Sequence, residues 1–268
     1  MRSGVRALLS ALEPGRLRDA QKATMPTADK PLDMASSGTL ADSESQLSQG
    51  KTAETSPDAY KARYANPGPL GSAGFATTLM ALSLSMLGCR DVSNSTVFIG
   101  NLCFIAGIGL LVSAQWEMVR GNTFGYTVLS SFGLYYAGYG VLLMPGMGII
   151  EAHGGYTAEY YNAFGLYLLV WCILNSFFLL ASLAINVPNI IIFAGLEFSY
   201  LFNCAAHFAM ADGNTAASAA LTRAAGAFGA VAAASGFYMV GYELCRDVFP
   251  FELPVGDTSR FFGRRKLC

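Results

Sequence analysis

The chain has 268 residues, 53% of them hydrophobic and 13% charged, with a formal net charge of −1 and a mean hydropathy of +0.40. That composition is too apolar for a soluble domain and places the chain among membrane proteins. Charge is concentrated at the front, since 9 of the 17 Lys and Arg and 8 of the 18 Asp and Glu precede Asn66. The six cysteines stand singly, with no CxxC pair and no His/Cys cluster at metal spacing, so neither a metal nor a cofactor is expected. With two histidines, no Gly-rich phosphate loop, no GxSxG and no basic stripe interleaved with aromatics, enzyme chemistry and nucleic-acid binding have little support.

Residues 1–65 are rich in Ser, Thr, Ala, Asp, Glu and Lys and read as a disordered cytoplasmic tail. The opening "MRSGVRALLSALEPGRLRDAQK" is Arg-rich and mildly amphipathic, as transit peptides are. It also carries Glu13 and Asp19 and lacks a long apolar run, so an ordinary cytosolic tail is expected. Residues 66–250 hold six apolar stretches, each near the roughly 20 residues that span a hydrocarbon core. They lie at about Ser72–Leu87, Val97–Trp116, Phe124–Met144, Tyr160–Leu183, Asn189–His207 and Ala224–Leu244. Short connections with turn chemistry, "RDVSNST", "RGN", "PGMG", "NVPN" and "ADGN", join them. Residues 251–268 read as a short cytoplasmic C-terminal tail. The pattern predicts an all-α membrane protein with six transmembrane helices.

Lys and Arg near the helix ends set the orientation. One side receives Lys61, Arg63, Arg120, Arg246, Arg260, Arg264, Arg265 and Lys266, whereas the other receives Arg90 and Arg223. Both termini are therefore expected in the cytoplasm. The first, third and fifth helices start on that face, at "NPGPLG" (Asn66), "GNTFG" (Asn122) and "NVPN" (Asn186, Asn189). Asparagine is a strong N-cap and proline suits the first helical turn. About ten residues further in, at a depth of roughly 14–15 Å and half of a ~30 Å core, stand Phe75, Phe132 and Leu196. The expected architecture is three helix hairpins around a central pore, with an apolar ring at the midplane. Helix N-termini at its mouth offer free N–H groups to a small carboxylate. Asparagines that merely cap and aromatics that merely pack would produce the same spacing.

"NPGPLGSAGF" resembles the NPxPLGLxxF signature of the acetate uptake transporter family, which includes bacterial succinate–acetate permeases and fungal acetate and ammonia permeases. "WEMVRGNTFGYTVLSSFG" is similar to the family's E-x-x-x-GNTFG-x-T-x-x-SxG block. The likeness continues through "AFGLYLLVW", "GFYMVGYE" and "ELPVGD", and so covers about Asn66–Arg260. The resemblance implies a six-helix protomer with its own pore, usually in a hexamer, that moves acetate or a related short carboxylate, proton-coupled or channel-like. The family's Phe–Tyr–Leu constriction falls on Phe75, Phe132 and Leu196. Ser72 stands where leucine usually follows PLG, Phe132 lacks the tyrosine hydroxyl, and Leu110 stands where bacterial members place glutamine.

Several polar residues are candidates along such a path, among them Asn66, Asn122, Thr127 and Ser131, the last two as polar contacts beside a drier gate. Thr78, one turn beyond Phe75, either replaces ligand hydration or bonds its own helix. Glu197, the acidic side chain deep in the fifth span, either carries a proton or makes a structural hydrogen bond. At 100° per residue Leu196, Asn203 and His207 share a side from which Glu197 is turned away. His207 either lines the exit or sits as a satisfied interfacial histidine. Tyr238 either lines the pore or bonds across helices, and Glu117 with Arg120 reads as a structural ion pair. Ala225 and Gly229 form a small-xxx-small pair on the sixth helix, a mark of close packing within or between protomers. The expected function is a proton-linked transporter or channel for acetate and related monocarboxylates, with succinate as a further candidate substrate, in the plasma membrane. An ammonia or ammonium exporter and a membrane sensor of acetate status are the alternatives, and an enzyme is not expected.

Overall fold

Each helix starts where a side chain or a proline replaces the backbone partner that the first turn lacks. In the computed structural model, residues 65–92, 94–246, 248–251 and 253–262 are described. The chain divides into two units, Met1–Glu54 and Thr55–Cys268, and all described residues belong to the second. The segment expected to be a disordered tail lies, but for Ala65, outside the described residues.

Six long helices run through the second unit. They are α1 Gly68–Met86, α2 Thr96–Val119, α3 Thr123–Leu143, α4 Ala158–Ser182, α5 Val187–Ala211 and α6 Thr215–Cys245. The side chains of Asn122, Asn186 and Asn214 cap α3, α5 and α6 by accepting the amides of Gly125, Asn189 and Ala217, each at 3.0 Å. At α1 the cap position is Pro67, and Asn66 stands one residue outside it, where its Oδ1 still accepts Gly68 N at 3.1 Å. Asn66 is thus not the cap expected of it. Helix α6 begins nine residues before the expected Ala224. Its alanines continue the helix past the stretch that hydropathy marks, because helix propensity does not stop where hydrocarbon does.

By length and composition α2, α4, α5 and α6 are able to cross a membrane. Helices α1 and α3, of 19 and 21 residues, carry more Gly, Ser, Thr and Tyr, and both face the cavity described below. Large apolar side chains point outward on every side, among them Phe104, Leu134, Val170 and Leu180, each more than 60% exposed. This inverted surface is what a lipid-facing bundle requires.

The closest pairings are α5 with α6, α4 with α5, α1 with α6, α2 with α3, and α1 with α2. Small residues make the approach possible. A Cβ on Gly226 would lie 2.9 Å from Ser83 O of α1, and one on Gly195 would lie 3.0 Å from Phe228 O of α6. The small-residue face of α6 therefore packs inside the protomer, where van der Waals contact replaces the hydrophobic drive that lipid does not supply. Helix α2 passes through a π-helical stretch, Asn101–Ile108, at whose Ile105 O the Gly74 backbone arrives with no room for a side chain.

The pair α3 and α4 meets through rings instead. Tyr135 stacks on Tyr167 at 5.9 Å and meets Trp171 at 4.7 Å. Between the two helices the chain forms short turns at Pro145–Met147 and Ile149–Ala152. After α6 the chain folds back as a strap. Val187 N donates to Val255 O and Gly256 O at 3.2 Å, Thr258 N donates to Ile185 O at 3.3 Å, and the Tyr238 hydroxyl donates to Pro254 O at 2.6 Å. Residues 254–258, expected in the C-terminal tail, are thus anchored on α6 and on the α4–α5 turn.

Candidate transport pathway

The N-termini of α1, α3 and α5 and the C-termini of α2 and α6 surround a cavity of about 520 Å³. Its rim is polar, with Asn66, Glu117, Arg120, Asn122, Asn186 and Glu243, and its inner end is closed by Phe75, Phe132 and Phe193. The rim is held by a chain of bonds centred on Glu117, which is 5% exposed. Glu117 pairs with Arg120 Nη1 at 2.8 Å and accepts Asn122 Nδ2 at 2.5 Å, and Arg120 Nη1 also donates to Asn66 Oδ1 at 2.7 Å. The expected Glu117–Arg120 ion pair is present, and it also fixes two of the asparagines that mark helix starts.

Two serines complete this construction from the neighbouring helices. Ser113 of α2 donates to Pro67 O at 2.8 Å, and Ser235 of α6 donates to Pro188 O at 2.9 Å. Each pins the first turn of α1 or α5 by a carbonyl. Neither was singled out from sequence, because a serine inside an apolar span carries no local signal of which carbonyl it will meet.

At the closed end Phe132, 2% exposed, lies 6.1 Å from Phe75, 6.4 Å from Phe193 and 5.8 Å from Phe178 between ring centroids. The structure therefore brings Phe75 and Phe132 together as expected. Leu196 is buried in the same core but does not line the cavity; one turn earlier, Phe193 is the α5 side chain that meets Phe132. Ten residues from Asn186 lead to Leu196, whereas Phe193, the α5 ring that closes the cavity, lies about 9 Å into the helix. Leu110, on α2, lines the cavity and is fully buried.

Beyond Phe132 the interior is filled with aromatic rings. Tyr136 is 6.5 Å from Phe132, Tyr135 is 5.4 Å from Tyr136, and Tyr139 reaches Phe164 at 5.7 Å. At the opposite end a second cavity of about 300 Å³, nearly all apolar, is lined by Leu142, Ile149, His153, Tyr160 and Phe164 among others. His207 stacks on Phe164 at 4.6 Å and 9°, with Nδ1 2.8 Å from Asn203 O. It thus sits at this far end together with Asn203, and neither lines the inner cavity.

The remaining candidates disperse. Thr78 is fully buried, and its hydroxyl has no partner, neither its own helix backbone nor a neighbour. Thr127 is exposed and Ser131 half-buried, both outside the cavity lining. Tyr238 serves the strap. Glu197 is gripped by three side chains of α4, with Asn175 Nδ2 and Ser176 Oγ each at 2.7 Å and Cys172 Sγ at 3.3 Å, and it too is absent from the cavity wall. Among the described residues no group of His, Cys, Asp and Glu is arranged to hold a metal.

A mouth of helix N-termini and guanidinium, narrowing onto aromatic rings, suits a small anion with an apolar end. The model of the GPR1/FUN34/yaaH family matches residues 49–256. The chain is 36% identical to acetate transporter protein patA of Aspergillus clavatus over 84% of this chain and 90% of that protein. It is 38% identical to the patA protein of Penicillium expansum over 74% and 80%. Among solved structures, that of the bacterial acetate channel SatP superposes with a TM-score of 0.56 at 28% identity, covering 72% of this chain and 99% of that one. Fold, motifs and relatives agree, and this multi-pass membrane protein belongs to the GPR1/FUN34/yaaH family, the acetate uptake transporters whose motifs its sequence resembles.

Proposed function

We propose that the protein conducts acetate and related short monocarboxylates, with the dicarboxylate succinate as a further substrate, across a membrane. The anion collects in the 520 Å³ cavity among the helix N-termini and passes the rings of Phe75, Phe132 and Phe193. In this reading all six helices span the bilayer as three hairpins about the pathway. Residues 66–250 are the transmembrane domain, and the tails 1–65 and 251–268 lie with both termini in the cytoplasm, the bilayer being the plasma membrane. Transport is proton-linked and the working form is a homo-oligomer, a hexamer by family resemblance. Phe75 and Phe132 form the constriction with Leu196 one layer behind. Asn66 and Asn122 shape the binding mouth, and Thr78 is the polar step beyond it, with Thr127, Ser131, Asn203 and Tyr238 as lesser contacts.

The observation that carries this reading is the cavity itself, polar at its rim, apolar at its end, and sized for a few small anions. The test is uptake of labelled acetate into vesicles containing the purified protein, measured above the flux of protein-free vesicles. Flux that saturates, and that changes in Phe75→Ala, is expected. No acetate flux above the protein-free vesicles, with methylammonium flux in its place, would replace the carboxylate reading by ammonia export.

A further inference from the structure

We propose that Glu243 makes occupancy of the inner cavity by a carboxylate depend on a proton. Ionised, it repels the anion; protonated, it holds the anion with its own acid O–H. The inference rests on the reading of the protein as a carboxylate transporter. Glu243 stands in the last turn of α6, half-buried, in the wall that also carries Phe75, Phe132 and Phe193. Its carboxylate rests against the first turn of α1, where a Cβ on Gly68 would lie 2.7 Å from Oε1. Its Oε2 accepts the hydroxyl of Ser72 at 3.0 Å. Ser72 is the position at which the chain departs from its family's usual leucine, so the departure falls on the partner of this carboxylate.

The second carboxylate of the cavity, Glu117, is held by Arg120 and Asn122. Ser72, Glu117, Arg120 and Arg246 act on Glu243, and Gly68 from α1, the neutral Asn122 before α3, the neutral Asn186 and Asn189 at the start of α5, and Tyr242 on its own helix line the same cavity. An arriving acetate adds a further negative charge to this set. Two carboxyl groups sharing one site do not both ionise readily, and one proton between them removes the repulsion and supplies a hydrogen bond. The step balances simply: the proton sits on a Glu243 oxygen while acetate is bound, the O–H bond breaks as acetate leaves, and the proton passes to cytoplasmic water. Glu197, clamped by α4, and His207, at the far end, do not face this cavity.

The test measures the half-saturating acetate concentration at the inner face of the vesicles, with internal pH varied from about 5.5 to 8. In the wild type it is expected to rise by up to about tenfold per pH unit above a midpoint. In Glu243→Gln it should change less than about twofold over the same range, because the amide carries no charge and keeps a donor. Ser72→Ala removes the bond that favours the carboxylate and should move the midpoint to higher pH by about half a unit or more. A merely structural role lowers flux without flattening the profile. Folded Glu243→Gln with the wild-type slope would overturn the proposal, and so would an unshifted midpoint in Ser72→Ala if Glu243→Gln fails to fold. Absence of wild-type acetate flux overturns instead the transport reading on which it rests.

Discussion

Phe132→Ala tests the constriction most directly. The ring is 2% exposed and sits within 6.5 Å of four others, those of Phe75, Phe178, Phe193 and Tyr136. Truncation leaves a void of about 100 Å³, which at about 24 cal/mol per Å³ corresponds to roughly 2.4 kcal/mol, before the lost ring contacts are counted. Each aromatic pair adds about 0.5–1.5 kcal/mol, so a loss near the top of the usual 3–5 kcal/mol for Phe→Ala is expected. The void joins the inner cavity and opens it toward Tyr136. Thermal unfolding in detergent should fall, while vesicle flux of butyrate relative to acetate should rise by about tenfold, the scale of a 1.4 kcal/mol lower barrier for the bulkier acid. A folded variant with an unchanged butyrate-to-acetate ratio would show that the ring packs the core without gating anything.

Thr78→Val removes a buried hydroxyl that has no partner. Stability should hold or rise by about 1–2 kcal/mol, whereas acetate flux should fall several-fold; equal flux takes Thr78 out of the pathway. Glu197→Ala strands the donors of Asn175 and Ser176 and should cost about 1–3 kcal/mol by thermal unfolding while leaving the pH profile of transport in place. Loss of proton dependence at full stability would instead restore Glu197 as a proton carrier. Ser113→Ala and Ser235→Ala each remove one bond to a helix-start carbonyl; each should cost about 1 kcal/mol, and their sum should describe the double variant, since they act on different helices. Asp257, held below the usual carboxylate range by its bonds from Ser259, stabilises the strap above its unfolded-state value and loses that contribution as pH falls through the folded one. Amide protection at Val187 and Thr258, taken relative to the intrinsic exchange rate at each pH and monitored by mass spectrometry, should therefore fall under acid, and this acid dependence should vanish in Asp257→Asn.

Much of the bundle was legible because its signals are local. Six apolar runs of spanning length became six helices, and Asn122 and Asn186 cap α3 and α5 as their sequence neighbours suggested, because a cap bond reaches only three residues along the chain. Phe75, Phe132 and the Glu117–Arg120 pair were recognisable for the same reason, by distance from a helix start or by i,i+3 spacing. The register of α5 was not legible: its seven residues from the cap Asn186 to Phe193, against ten from the cap Asn122 to Phe132, reflect how far each helix slides along its neighbours, and packing alone sets that.

Tertiary structure alone decided what the polar residues touch. Glu197 met three donors on α4, Ser72 met Glu243 across 171 positions of sequence, and Tyr238 met the returning strap. None of these partners lies within a helical turn, so no spacing in the chain could announce them. Sequence by itself determined that the chain crosses a membrane as helices and where α3 and α5 are capped, since hydrophobicity and capping act over a few residues. The choice of Phe193 over Leu196, and of Glu243 over Glu197 as the carboxylate facing the cavity, came from the close approach of small residues that sets each helix's rotation and depth.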